Sequence, residues 1–260
     1  DYGQLLEMTD YRVSSETETA YRYTEYTYDQ GGRITAFAEI SQNTQPTADD
    51  IKAHQIRYTY NEDGNLSKVS YPTTKDGIQS LSYIYDENGW LQEIKGELHS
   101  KGQTTEKVLR SYTYDTFGRL VKTVTTDYKK NDQTKTITYT YDNVGNRLKE
   151  DDGTTTTSYT YNGLDQLKTS TKEKGTAVEE VRQYDYDMNG NQTDVKNTKT
   201  GENQTYVYDA ENRLSQVSVT KDGKTAMIQQ NIYNGEGQRI QKVDGDETTN
   251  YYYQNGVVAY

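Results

Sequence analysis

The chain has 260 residues, with 40 acidic against 29 basic side chains, a net charge of -11 at pH 7 and a pI near 4.8. That balance argues against a phosphate-binding surface, which needs clustered Lys and Arg, so neither nucleic acid nor an anionic membrane is an expected partner. There is no Cys, and no apolar run approaches the ~20 residues of a membrane span, so disulfides and thiolate chemistry are excluded and no membrane insertion is expected.

Hydrophobic residues make up only 31% of the chain, 27 residues are Tyr, and the mean hydropathy is -1.12. Such numbers usually accompany disorder, but a regular aromatic spacing and repeated turn chemistry oppose that reading. Tyr reconciles the two, because its ring packs while its hydroxyl is expected to stay in water. Stacked tyrosine ladders then hold a thin, single-layered sheet.

In chain order, the phrase Tyr-x-Tyr-Asp/Asn-x-x-Gly, usually followed by Arg, Asn or Gln and then Leu, runs from Tyr26 to Ile34, Tyr58 to Leu66, Tyr83 to Leu91 and Tyr112 to Leu120. It returns with variations at Tyr139, Tyr159, Tyr184, Tyr206, Asn231 and Tyr251. Self-similarity of this period marks a repeat architecture, and no copy carries a unique cluster of reactive side chains. The structural positions are the second tyrosines, Tyr28, Tyr60, Tyr85, Tyr114, Tyr141, Tyr161, Tyr186, Tyr208, Tyr233 and Tyr253, and the turn glycines, Gly32, Gly64, Gly89, Gly118, Gly145, Gly190 and Gly237.

Two tyrosines spaced by one residue share a face of a strand, and the intervening residue, often Thr, suits the solvated face. Asp or Asn opens a type I turn, and Gly takes the left-handed position that closes a bulged hairpin. This geometry puts Arg119 opposite Asp115 and Leu120 opposite Tyr114. A looser turn follows each hairpin, as at Lys75-Asp76-Gly77, Asp151-Asp152-Gly153, Glu173-Lys174-Gly175, Lys199-Thr200-Gly201 and Lys221-Asp222-Gly223. The polar stretch Ser41 to Asp50 reads as a loop insertion.

Two turns per repeat imply two strands per repeat. About ten repeats then give about 20 strands, roughly 95 Å across at ~4.8 Å each, which an open twisted sheet does not sustain without coiling. The expected fold is all-β: a repetitive antiparallel β-hairpin meander coiled into a curved sheet or part of a hollow β-shell. It is expected to run as a single continuous array over residues 1–260. The opening Asp1-Tyr2-Gly3-Gln4-Leu5 looks like the tail of a repeat, so the chain is expected to begin inside a longer array.

The runs Tyr141-Asp142-Asn-Val-Gly145-Asn146-Arg147-Leu148 and Tyr208-Asp209-Ala-Glu-Asn212-Arg213-Leu214 resemble the YD repeats of the Rhs family, which includes bacterial wall-associated and polymorphic-toxin proteins, toxin-complex C components and teneurins. The resemblance covers essentially the whole chain. It implies a spiralling β-shell, secreted or at the cell surface, that encloses a C-terminal effector in toxins or serves as an adhesive scaffold. Expected partners are therefore other repeats of the same array and a C-terminal effector domain. The family's self-cleaving core, with its Asp-Pro-rich signature, is absent, and the only prolines are Pro46 and Pro72.

Other chemistry is thinly supported. Asp185-x-Asp187-x-Asn189-Gly190 matches the start of a calcium loop, but Lys196 stands where a bidentate Glu is required, and a hairpin turn accounts for the motif. His54 and His99 are read as solvated loop residues without metal or catalytic partners. The expectation is no cofactor and no enzymatic activity. The alternative function is recognition of a cell-surface glycan or protein by tyrosine-lined surfaces, with Trp90, the single Trp, either exposed for contact or filling a local gap.

Overall fold

A computed structural model describes residues 4–15, 18–73, 75–254 and 256–258. The predicted opening fragment therefore lies partly outside the described residues, at Asp1, Tyr2 and Gly3. The chain divides into two compact units, Asp1–Thr136 and Ile137–Tyr260. Both are all-β antiparallel meanders built from the same hairpin.

The first unit contains β1 (Glu7–Ser15), β2 (Glu18–Tyr28), β3 (Ile34–Gln42), α1 (Ala48–Ala53), β4 (Ile56–Tyr60), β5 (Leu66–Ser70), β6 (Gly77–Tyr85), β7 (Leu91–Ser100), β8 (Gln103–Tyr114) and β9 (Leu120–Asp127). Each strand pairs antiparallel with the next. The chain continues with β10 (Gln133–Tyr141), whose residues 137–141 open the second unit, and then β11 (Arg147–Asp151), β12 (Thr155–Tyr161), β13 (Leu167–Lys174), β14 (Ala177–Tyr186) and β15 (Gln192–Asn197). It continues through β16 (Asn203–Tyr208), β17 (Leu214–Lys221), β18 (Lys224–Tyr233), β19 (Arg239–Asp244) and β20 (Glu247–Asn250), then a separate small hairpin, β21 (Tyr253–Gln254) with β22 (Val257–Val258).

The register repeats with the motif. Tyr28 faces Ile34, Tyr60 faces Leu66, Tyr85 faces Leu91 and Tyr114 faces Leu120, each after a bulge one residue before the turn. In the second unit Tyr161 faces Leu167 and Tyr208 faces Leu214 in the same way. The intervening threonines Thr59, Thr113, Thr140 and Thr160 are exposed, as a solvated face requires.

The core is thin. Among the described residues, the buried apolar side chains are Tyr23, Ala36, Ala38, Ile40, Val69, Leu98, Val195 and Val217. With so little apolar burial, strand-to-strand hydrogen bonds and the turn networks carry a larger share of the cohesion than in an ordinary domain.

Two sequence expectations are corrected. The stretch Ser41 to Asp50 is not all loop: it holds the end of β3 and the start of α1. Thr47 caps that helix by accepting from the Asp50 backbone N–H at 3.2 Å, while the Asp50 carboxylate accepts from the Thr47 N–H at 2.8 Å. His99 is not in a loop but within β7, opposite Gly77 on one side and Thr104 on the other. His54 does follow a connecting element, as the C-cap of α1, with its Nδ1 2.8 Å from the Asp50 carbonyl.

Candidate functional site

The repeated hairpin tip is the most densely bonded feature of each unit. At Asp115 one carboxylate oxygen, Oδ1, accepts the backbone N–H groups of Phe117 at 2.9 Å and Arg119 at 3.0 Å. The other, Oδ2, accepts Arg119 Nε at 2.7 Å. Gly118 closes the turn at φ 79°. Such φ values favour glycine because a Cβ crowds the following carbonyl. Where the repeat lacks glycine, the same position is held by Asp165 at φ 59° and Asn212 at φ 60°. Both are types that visit this region by bonding locally.

The turn residue is matched to the residue four places on. Asp29 receives Arg33 Nε, and Asp209 receives Arg213 Nε, each at 2.7 Å. Asp142 and Asp187 receive the side-chain amides of Asn146 and Asn191 at 3.0 and 2.9 Å. Where the turn residue is Asn, the polarity reverses: Asn162 and Asn234 donate Nδ2 to Oε1 of Gln166 and Gln238 at 2.7 and 2.9 Å. A carboxylate thus faces a donor, and an amide N–H faces an acceptor.

These bonds favour the ionised acids. The Arg33 backbone N–H, then its guanidinium, hold Asp29 below the usual carboxylate value of 3.8. At Asp187 the Asn191 amide has the largest part in the same lowering. At Asp115 desolvation pushes the carboxyl up, but the bonds from Arg119 and Phe117 outweigh it.

A second device joins one repeat to the next. The second tyrosine's hydroxyl donates to the backbone carbonyl that opens the return strand of the preceding hairpin. In the first unit, Tyr60 reaches Ile34, Tyr85 reaches Leu66 and Tyr114 reaches Leu91, at 2.8 to 2.9 Å, and Tyr28 reaches Leu5, two residues before β1, at 2.9 Å. In the second, Tyr161 reaches Arg147, Tyr186 reaches Leu167, Tyr208 reaches Gln192, Tyr233 reaches Leu214 and Tyr253 reaches Arg239, at 2.8 to 3.0 Å. These hydroxyls are therefore not left in water, contrary to expectation. A carbonyl accepts readily there because the bulge has interrupted the ladder.

Neighbouring tips also stack. The guanidinium of Arg33 lies 4.5 Å over the Tyr60 ring, and that of Arg213 lies 4.8 Å over Tyr233. The same side chains approach the next turn's glycine: a Cβ on Gly64 would stand 3.2 Å from Arg33 Nη1. Before Asp165 and Asn212, the covering residue is the shorter Asn146 or Asn191, whose amide donates to their side-chain oxygens at 2.9 Å. At Gly64 and Gly237 the glycine leaves room for the preceding tip's Arg, whereas a Cβ at Gly89 or Gly145 would meet nothing within 4 Å.

Trp90 occupies the covering position between the turns at Asp86 and Asp115. Its ring centroid is 5.5 Å from that of Tyr114, tilted by 51°, and a Cβ on Gly118 would meet the indole Cζ2 at 2.7 Å. Beside it lies an open groove of about 550 Å³ bordered by Asp86, Trp90, Gln92, Tyr112 and Thr116.

The calcium-like motif is absorbed by the turn: Asp187 Oδ1 accepts Asn189 and Asn191 N–H groups, and Oδ2 the Asn191 amide. Among the described residues, no group of three or more His, Asp or Glu has metal-binding geometry. No helix among them is long and apolar enough to cross a membrane.

A chain made of hairpins that share one turn network and are stapled, within each unit, by tyrosine hydroxyls is a structural β-repeat protein. The Teneurin YD-shell family profile matches residues 2–174, and the chain belongs to that family. No curated protein matches it. It is similar to a chain in the crystal structure of TcdB2-TccC3-Cdc42, at 13% identity and a TM-score of 0.48, over 95% of this chain and 15% of that one. A chain of the Photorhabdus luminescens Tc holotoxin pore gives 13% identity and 0.46, over 94% and 15%. The chain thus spans about 15% of the length of those two. A porin-like protein from Bacteroides uniformis gives 11% and 0.34, over 85% and 92%.

Proposed function

We propose that this chain is a non-catalytic wall segment of a β-shell whose whole protein, secreted or displayed at the cell surface, encloses a C-terminal effector. The observation that carries the reading is the tyrosine-to-carbonyl bond, repeated between successive hairpins in both units. A wall must transmit cohesion from strand to strand without a thick core, and within each unit this bond supplies it. Membership of the YD-shell family supports the same reading. The turn aspartates, spent on backbone N–H groups, are poorly placed for acid–base work.

Limited proteolysis of the full-length gene product tests encapsulation. A segment C-terminal to the repeats should resist protease in the native protein and become cleavable when Tyr114→Ala and Tyr85→Ala loosen the wall. Equal cleavage of that segment before and after disruption would leave only a surface scaffold. Turnover in a broad hydrolase screen, abolished by substitution of a specific carboxylate, would remove the non-catalytic reading.

A further inference from the structure

We propose that the groove beside Trp90 binds a pyranose unit of a neutral oligosaccharide. The argument starts from a break in the turn rule. At Asp86 the residue four places on is Trp90, which supplies its backbone N–H to Oδ1 at 2.9 Å but no side-chain donor comparable to Arg119 or Asn146. Asp86 Oδ1 also takes the Asn88 N–H at 2.9 Å, while Oδ2 has no partner among the described residues.

Replacing an Arg by Trp therefore leaves a free carboxylate oxygen and an aromatic surface side by side. The β7–β8 ladder stops at Glu93 opposite Ser111, and the groove opens between the two tips beyond that point. Its volume of about 550 Å³ lies in the range of small-ligand sites. The exposed amides of Asn88 and Gln92 and the exposed Thr116 hydroxyl border it.

This combination matches the chemistry of a sugar. The C–H face of a pyranose packs on the indole and on Tyr112, while its hydroxyls donate to Asp86 Oδ2 and exchange bonds with the amides. A cation would find only one unspent carboxylate, because Asp115, which also lines the groove, is held by Arg119; a polyol uses the neutral donors as well. The site stands apart from the wall reading, because a wall needs Tyr114 and its bond to Leu91 but neither Asp86 Oδ2 nor Gln92.

Trp90 is the single Trp, so its fluorescence reports on this groove alone. The experiment titrates the chain with cellotetraose, chitotetraose and maltotetraose, and with arginine amide as a cationic comparison. Saturable change of emission with at least one tetrasaccharide is expected. Gln92→Ala should weaken it about fivefold, the equivalent of one neutral hydrogen bond. Trp90→Arg, followed by calorimetry, should abolish binding while keeping the melting temperature, since Arg restores the pairing seen between Asp115 and Arg119. No saturable response to any of the three sugars would overturn the proposal. So would binding unaffected by Gln92→Ala and Trp90→Arg, or a response to arginine amide in place of the sugars.

Discussion

The hydroxyl of Tyr114 donates to the carbonyl of Leu91 at 2.8 Å, and Leu91 is itself the cross-strand partner of Tyr85. Tyr60, Tyr85, Tyr161, Tyr186, Tyr208, Tyr233 and Tyr253 hold the rungs formed by their predecessors in the same way. Removing only this hydroxyl, as Tyr114→Phe, should cost about 1 kcal/mol, while Tyr114→Ala should cost about 3–5 kcal/mol. Chemical denaturation measures both, and a Phe variant as stable as the parent would show that the ring alone does the work.

The matched turn pairs predict a rescue. Asp115→Asn should destabilise, because the new amide N–H would face the Arg119 guanidinium, donor against donor. Adding Arg119→Gln recreates the Asn162–Gln166 and Asn234–Gln238 arrangement and should recover most of the loss. A double-mutant cycle gives the coupling; additive losses would mean the pairs are incidental.

Gly118 and Gly153 separate backbone strain from packing. Their φ values are 79° and 82°, yet a Cβ at Gly153 would meet nothing within 4 Å, whereas at Gly118 it would meet Trp90. Gly153→Ala should cost about 1 kcal/mol, and Gly118→Ala distinctly more. Trp90→Asn in the Gly118→Ala background should bring the two costs together in thermal melts.

Stability should fall at both ends of the pH scale. The turn acids Asp29, Asp115, Asp142, Asp187 and Asp209 have folded-state values below the usual 3.8, so their contribution is complete above that value and is lost as pH drops through the lower folded values. Burial raises Tyr85, Tyr114, Tyr186 and Tyr208 above 10.0, so the tyrosine contribution is complete below 10 and is lost as pH climbs through the higher folded values. Melting temperature against pH should form a plateau with both limbs, and Tyr114→Phe should weaken the alkaline one. A flat profile below pH 4 would mean the turn bonds add nothing.

The sequence by itself determined the hairpin: the Asp or Asn opening the turn, the left-handed Gly, and the pairing of Tyr114 with Leu120 all depend on residues within one motif. The donor–acceptor match of Asn162 with Gln166 was equally legible, since both partners lie four places apart. Only the tertiary structure decided where the tyrosine hydroxyls go, because their acceptors lie 14 to 26 residues earlier and are backbone carbonyls, which every residue carries. The same holds for Trp90: its place above Gly118 and beside a carboxylate oxygen left free at Asp86 follows from how adjacent tips stack. A contact between repeats is set by their spacing in the sheet, and no local propensity encodes that distance.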